Sequence, residues 1–185
     1  MESPGVDPLP ARLAAGDQEA FTALYDRFGE RLYRAAMGML GRREDAEDIV
    51  HEVFVAMLQS RRRLADVQDL TAYLFTALRR ATGRSAARRA QGPVLSETAT
   101  SQAAAIVPGD DCSSPYGERL QRALLALPAD QREVVALKVD GELTFAQIAQ
   151  VMDISINTAA SRYRYALEKL RTSLKGKSPL PPGEG

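Results

Sequence analysis

Cysteine, histidine and tryptophan are almost absent from this chain of 185 residues. Cys112 is the single cysteine, His51 is the single histidine, and there is no tryptophan. One cysteine excludes an internal disulfide and a zinc site built on cysteines. Because these ligand types are so few, we expect no bound metal and no cofactor.

Long apolar runs are also missing. No uninterrupted apolar stretch approaches the roughly 20 residues that a membrane span needs, and the N-terminus lacks a basic stretch followed by an apolar segment. Hydrophobic residues nevertheless make up 45% of the chain and charged residues 26%, which suits a soluble helical protein. We therefore expect a cytoplasmic protein without membrane insertion.

Residue types that would support catalysis do not cluster in the sequence. Acid–base or nucleophilic chemistry needs a pocket of convergent groups, yet His51 and Cys112 lie in different segments. A surface position is the simplest interpretation of His51, and an exposed thiol that of Cys112. We expect that the protein is not an enzyme.

The net charge of zero hides an uneven distribution of charges. Nine acids face six bases between Arg12 and Ser60, whereas eight arginines face two acids between Arg61 and Gly92. Bases exceed acids again, ten to seven, from Arg119 onward. The zero is a cancellation of opposite patches, so a nucleic-acid-binding function is not excluded.

Three helical patterns follow one another in the first part of the chain. Asp17 is a suitable N-cap for the first helix, and Gly41 ends it. The second begins near Glu44 and is strongly amphipathic, with its acids mostly off the apolar stripe. The third starts near Leu70 and carries arginines four residues apart. Together they predict a small helical domain over residues 12–90.

A second domain follows a segment of different composition. Residues 91–117 are rich in Ala, Ser, Thr, Pro and Gly, which predicts a flexible linker. Helical periodicity then resumes, stops at Pro128 and returns as far as Gly141. We expect a second domain over 118–175 and a disordered tail over 176–185. The predicted fold class is all-α, with two small helical domains that need not touch each other in free solution.

The second domain contains a helix-turn-helix pattern. Thr144 and Gln147 have the spacing of a capping box at the start of a short helix. A tight turn follows, where Asp153 replaces the usual Gly and tolerates the left-handed conformation. The predicted inner stripe of the last helix comprises Ala159, Tyr163, Leu167 and Leu170. Its polar and basic front predicts DNA binding, and two packed helices with a solvated face are the alternative.

Four segments together resemble extracytoplasmic-function sigma factors of the sigma-70 family. They are DAEDIVHEVFVAM, AYLFTALRR, LPADQREVVALKVDGELTFAQIA and NTAASRYRYALEKLR. The similarity covers most of residues 20–174, with the order and spacing of the family. It implies that the first domain corresponds to sigma region two and the second to region four, joined by a linker that threads through the polymerase.

The resemblance implies that the acidic helix contacts the basic clamp helices of the polymerase largest subunit. Opposite charges on the two surfaces would favour that contact. The residues implied are Asp45, Glu47, Asp48 and Glu52. The alternative is an ordinary solvated face, because acids near a helix N-terminus also stabilise the helix dipole.

The arginine-rich segment that follows resembles the part of the family that opens the minus-ten promoter element. Basic side chains bind the phosphates of opened DNA, and flat side chains stack on its bases. The residues implied are Arg61, Arg62, Arg63, Gln68, Tyr73, Arg79, Arg80, Arg84 and Arg88. Tyr73 replaces the usual Trp and suits core packing equally well, while Arg80 and Arg84 replace the usual Asn and Asp. A solvated basic face is the alternative for the arginines.

The last helix corresponds to the part of the family that reads the minus-thirty-five element. The residues implied are Asn157, Thr158, Ala160, Ser161, Arg162 and Arg164. Ala159 and Ala160 replace the usual Val-Lys, so this chain lacks one basic contact and its preferred sequence can differ.

The function implied is that of a sigma factor that binds core RNA polymerase and directs promoter recognition and DNA opening. Its partners would be core polymerase, promoter DNA and, as is common in the family, an anti-sigma factor. A linker of roughly 27 residues reaches about 90 Å when extended, which spans promoter elements ~60 Å apart. The alternative is a stand-alone helix-turn-helix regulator that binds operators as a dimer, against which the acidic helix and the arginine-rich segment both argue.

Overall fold

The structure is a computed structural model that describes residues 8–90 and 115–175, and every element in these two stretches is helical. The elements are α1 (Leu9–Ala15), α2 (Gln18–Leu40), α3 (Arg43–Gln59), a 3-10 helix (Arg61–Asp66), α4 (Leu70–Ala90), α5 (Pro115–Leu125), α6 (Ala129–Val139), α7 (Phe145–Met152) and α8 (Ile156–Lys175). The all-α prediction is confirmed. Among the helices described, none is both long and apolar enough to cross a bilayer.

The predicted linker and tail lie almost entirely outside the described residues. At the end of the linker the structure differs from the expectation, because α5 begins at Pro115 rather than after residue 117. Proline favours the first turn of a helix, where its missing N–H is not needed. The helix therefore includes the last three residues of the segment that the composition assigns to the linker.

Two local signals determine the ends of α2. Asp17 Oδ1 accepts hydrogen bonds from the backbone N–H groups of Glu19 at 2.9 Å and Ala20 at 3.3 Å, which satisfies donors that have no partner within the helix. At the other end Gly41 adopts a left-handed φ of 71°, which glycine does without steric cost. The predicted start and end of this helix are confirmed.

Helix α1 and the 3-10 helix are two elements that the sequence periodicity does not predict. They pack against each other, and Leu13 of the first and Leu64 of the second are fully buried. Their lengths of seven and six residues are too short to display a helical repeat. The first half of the molecule therefore begins at Leu9, before the predicted boundary at residue 12.

The helix-turn-helix is present with both predicted signals. The backbone N–H of Gln147 donates to Thr144 Oγ1 at 3.2 Å, and the backbone N–H of Thr144 donates to Gln147 Oε1 at 3.0 Å. Asp153 ends α7 in the left-handed conformation, with φ 55°. Ser155 then caps α8, accepting from the backbone N–H of Thr158 at 3.0 Å. The capping box and the turn are confirmed.

The prediction for the inner stripe of α8 is wrong at one residue. Ala159 and Leu170 are buried, but Leu167 is 43% exposed, and Ala166 is fully buried in its place. Steps of four, three and four residues from 159 stay on one helix face. Residue 167 lies about 100° further round the helix, so its side chain points away from the core.

The two halves of the chain pack against each other. Helix α2 contacts α6, and α4 contacts α7. A single cluster of buried apolar residues runs from Leu9 in α1 to Ala159 in α8. The sequence predicts halves that need not touch, but the structure joins them, because apolar side chains from both halves form this cluster. Phe75 of α4 is an example, since it is fully buried and lies against the turn after α6.

Candidate nucleic-acid interface

Some of the acids of α3 that are predicted to contact polymerase are exposed to solvent, and others form ion pairs within the protein. Glu47 and Asp48 are exposed, whereas the Asp45 side chain is only 17% exposed. Asp45 forms an ion pair with Arg42 at 3.5 Å. Glu47 accepts a hydrogen bond from Arg43 Nε at 2.7 Å. Asp48 and Glu47 are therefore the acids best placed to meet a basic partner.

Glu52, the fourth of these acids, connects α3 to α4. Its carboxylate lies 2.6 Å from an Arg84 nitrogen and 4.0 Å from an Arg88 nitrogen. Both arginines belong to the set predicted for DNA. Glu52 is predicted to contact polymerase, and the two arginines are predicted to contact DNA. In this structure their charges neutralise one another where α3 meets α4.

The 3-10 helix presents three consecutive arginines to solvent. Arg61, Arg62 and Arg63 are all exposed, as is Gln68. The fully buried Leu64 anchors this segment to the core. The three arginines form a short basic edge that the buried leucine holds in place. An exposed basic edge of this kind suits binding to phosphates.

A groove of about 520 Å³ runs along the start of α4. Gln68, Tyr73 and Arg80, all predicted for minus-ten DNA, line it together with Gln150 from the second half. Tyr73 is half-buried and packs partly on the core. Tyr73 therefore packs on the core and also lines the groove, and its contact with DNA stays a prediction.

Arg79 differs from the other arginines of α4. Arg80, Arg84 and Arg88 are exposed, but Arg79 forms an ion pair across the two halves, 2.8 Å from Glu133 of α6. Burial raises the pKa of the Glu133 carboxyl, and Arg79 opposes that rise. Arg79 is thus a contact between the halves in this arrangement rather than a free basic group.

The front of α8 offers a small polar surface. Asn157 and Arg164 are exposed, and Arg164 also lies over the ring of Tyr165 at 5.2 Å. The half-buried members of the predicted set are Thr158, Ala160, Ser161 and Arg162. Phe145 and Tyr163 pack edge to face at 5.7 Å behind this surface. This ring contact joins α8 to α7.

Arg162 has a partner within the second half. One of its guanidinium nitrogens lies 2.8 Å from Asp130 of α6, and its side chain is 30% exposed. This ion pair connects α8 to α6. In this geometry Arg162 positions the helix, while Arg164 is directed toward solvent.

Sequence reasoning missed two contributors to the groove. Gln150 lines it, and Asp69 accepts hydrogen bonds from the backbone N–H of Ala72 and from Gln147 Nε2, both at 2.9 Å. Asp69 has an N-cap signal in the sequence, three residues before Ala72. No sequence signal could pair it with Gln147, because the two residues belong to different halves.

Two family models match the chain, one in each half. The model described as "Sigma-70 region 2" matches residues 24–91, and the model described as "Sigma-70, region 4" matches residues 117–170. The first match includes α3 and α4, and the second includes the helix-turn-helix.

Curated relatives are similar over nearly their whole length. The ECF RNA polymerase sigma factor SigW of Bacillus subtilis is 29% identical over 175 residues, covering 86% of this chain and 91% of the relative. The ECF RNA polymerase sigma factor SigK of Mycobacterium tuberculosis is 29% identical over 185 residues, covering 93% of this chain and 95% of the relative.

Two solved structures share the fold. CnrH in complex with the cytosolic domain of CnrY has a TM-score of 0.67 at 24% identity, covering 92% of this chain and 97% of that one. The sigma factor RpoE in complex with the anti-sigma factor NepR, from Bartonella quintana, has a TM-score of 0.64 at 24% identity, covering 86% and 99%.

Proposed function

The chain belongs to the sigma-70 family, in its extracytoplasmic-function group, and we propose how its two halves divide the work of a sigma factor. It binds core RNA polymerase and directs promoter recognition and DNA opening for transcription initiation. We assign polymerase and minus-ten binding to a domain over 12–90, and minus-thirty-five binding to a domain over 118–175. The observation that carries this division is the presence of an acidic helix, an arginine-rich edge beside a groove, and a helix-turn-helix, in family order.

Helix α3 is the proposed polymerase contact. Asp48 and Glu47 are the exposed acids of the set predicted for polymerase, and the clamp helices that they would meet are basic in this family. Asp45 and Glu52 contribute negative charge behind them, although each has an arginine beside it. Charge complementarity of this kind mainly determines specificity and association rate.

The groove beside α4 is the proposed site for opened minus-ten DNA. Tyr73 offers a ring for stacking on an unpaired base, Gln68 offers an amide, and Arg80 a positive charge. The exposed basic edge of Arg61, Arg62 and Arg63 is suited to the phosphates on either side. Arg84 and Arg88 extend the same surface along α4, although both lie beside Glu52. Arg79 joins it only when its ion pair with Glu133 is broken.

The front of α8 is the proposed reader of minus-thirty-five DNA. Asn157 and Arg164 are its exposed side chains, and Ser161, Thr158 and Ala160 form the close-contact surface between them. Helix-turn-helix proteins place the second helix in the major groove with its N-terminal residues at the base edges. Arg162 holds this helix to α6 and contributes charge near the backbone.

We further propose that the protein works in the cytoplasm, performs no catalysis itself and has an anti-sigma factor as a regulatory partner. The polymerase performs the phosphodiester chemistry. The support for the last point is that the two structural neighbours are complexes, one with the cytosolic domain of CnrY and one with the anti-sigma factor NepR.

The proposed polymerase contact is tested by reversing one exposed charge. We expect Asp48→Arg to weaken binding to core polymerase by at least about tenfold, or ~1.4 kcal/mol, because it places like charges opposite each other. Glu19→Arg is the matched control, since Glu19 is also a highly exposed acid near a helix start but lies outside α3. Titration of labelled protein with core polymerase measures the affinities. Equal affinities for both variants and the wild-type protein would contradict the assignment.

A further inference from the structure

The first turn of α8 exposes an apolar side chain at the place where helix-turn-helix proteins meet DNA. Ile156 is the first residue of α8, and it is 54% exposed. Ile154, two residues earlier, instead packs against the core. Helix-turn-helix proteins place the N-terminal residues of the second helix at the base edges. The exposed isoleucine therefore belongs to the part of α8 that would come nearest to the bases.

The cap of α8 fixes the backbone on both sides of this isoleucine. Ser155 Oγ accepts a hydrogen bond from the backbone N–H of Thr158 at 3.0 Å, and the Ser155 carbonyl oxygen accepts one from the backbone N–H of Ala159, also at 3.0 Å. These bonds close the first turn of the helix. Because isoleucine is branched at Cβ, its χ1 angle is restricted in a helix. Ile156 therefore has little conformational freedom to lose when DNA binds.

Ile156, Ala160 and Arg164 follow one another at steps of four residues. Residues four apart lie on the same side of an α-helix, so Ile156 and the half-buried Ala160 form a small apolar surface, which we call the apolar patch. The exposed Asn157 adjoins it at the start of the helix, and the exposed Arg164 adjoins it one turn further along. The apolar patch is therefore part of the surface that we propose reads minus-thirty-five DNA.

The chemistry of the apolar patch favours one feature of the major groove. Every base presents hydrogen-bonding groups there, but only thymine also presents a methyl group. The side chains of isoleucine and alanine neither donate nor accept hydrogen bonds, so a base edge pressed against them leaves its polar groups unpaired, which costs free energy. Contact with a methyl group instead removes apolar surface of both partners from water. The patch therefore suits a thymine methyl group.

We propose that the apolar patch reads the C5-methyl group of one thymine in the minus-thirty-five element, and that Ile156 is the residue that makes the protein prefer thymine there. The proposal rests on the proposed function and adds a base preference to it. It also gives the alanine at position 160 a role. A lysine, which is usual there in the family, would place an ammonium group beside Ile156 and favour guanine, whose edge offers two acceptors. Alanine leaves the isoleucine uncovered.

Replacement of thymine by deoxyuridine tests the proposal, because the two nucleotides differ only in the C5-methyl group. Promoters that the protein transcribes with core polymerase are synthesised with each minus-thirty-five thymine replaced in turn. Competition binding then measures the affinity of the polymerase complex for each promoter. We expect one replacement to weaken binding about threefold to fivefold, because it removes one methyl group from an apolar contact. The other replacements should have much smaller effects.

Variants of Ile156 show whether this residue makes the contact. Ile156→Ser should weaken binding to the thymine promoter by about the same factor, and the sensitive deoxyuridine replacement should then have almost no further effect. Ile156→Val retains a branched apolar side chain and should retain the sensitivity. Val139→Ser is the matched control, since Val139 is 55% exposed but is the last residue of α6. We expect this control to behave as the wild-type protein does.

The outcomes separate this proposal from the proposed function. A polymerase complex that binds its promoters but is insensitive to every deoxyuridine replacement would overturn the proposal alone. Equal sensitivity in the wild-type protein and in Ile156→Ser would also overturn it, since the methyl group would then act through DNA shape or through another residue. If the wild-type protein directs no core-dependent transcription, the proposed function fails, and the inference that rests on it fails as well.

Discussion

Arginines that look alike in the sequence have different surroundings in the structure. Arg164 is exposed on the front of α8, whereas Arg162, two residues earlier, pairs with Asp130. Arg79 pairs with Glu133, whereas Arg80 next to it is exposed. Burial and partners, rather than charge alone, therefore decide which basic groups are available to DNA.

The exposed arginine of α8 gives a prediction at this scale. We expect Arg164→Ala to weaken binding of the polymerase complex to promoter DNA by about 1–3 kcal/mol if it contacts a base. Arg171→Ala, an exposed arginine two turns further along α8, is the control and should change affinity less. Fluorescence anisotropy with labelled promoter measures both. The same loss for the two variants would argue against a specific role for Arg164.

Asp140 gives a prediction about pH. Burial raises its pKa from 3.8 to about 6, and Arg34 opposes that rise. The folded form therefore binds the proton more tightly than the unfolded form, so the stabilisation is complete below pH 3.8 and is lost as pH rises through about 6. We expect Asp140→Asn to be more stable than the wild-type protein at pH 7 by roughly 1–3 kcal/mol.

Urea unfolding at several pH values checks this prediction. The difference between Asp140→Asn and the wild-type protein should grow between about pH 4 and about pH 6 and then remain constant. Glu133, whose pKa is also raised by burial, is present in both proteins and so cancels in the comparison. A difference that shrinks over that interval would contradict the sign.

At the scale of elements, local signals predict the structure best. Asp17, Gly41 and the Thr144–Gln147 capping box act within a few residues, so the sequence alone locates those helix ends. Short elements such as α1 escape detection because they show no periodicity. The inner face of α8 is predicted with one error, at Leu167, because residues 166 and 167 are each three or four residues from both Tyr163 and Leu170, so spacing alone does not separate them.

The capping box provides the test for an element. Thr144→Ala removes the acceptor for the Gln147 backbone N–H, and we expect it to reduce the free energy of unfolding by about 1 kcal/mol. Thr172→Ala is the control, because Thr172 is exposed on α8 and donates to the Glu168 carbonyl oxygen within its own helix. Thermal unfolding of the two variants measures the difference. Equal stabilities would contradict a stabilising cap.

At the scale of the whole molecule, the sequence predicts the two halves but not how they meet. The candidate surfaces on α3, α4 and α8 follow from motifs and charge. The pairing of Arg79 with Glu133 and of Asp69 with Gln147 does not, because each pair joins distant segments. A linker long enough to let the two halves separate also lets them touch. Only the three-dimensional structure therefore shows that they are in contact.

The central claim is that this chain gives core RNA polymerase a promoter specificity. Run-off transcription with core polymerase and a pool of promoter fragments from the source genome tests it most directly. We predict transcripts from a defined subset of fragments that require both the chain and the polymerase, and that are lost with Asp48→Arg. Tight binding of the protein alone to duplex DNA, without any polymerase-dependent transcript, would contradict the claim and favour a stand-alone regulator.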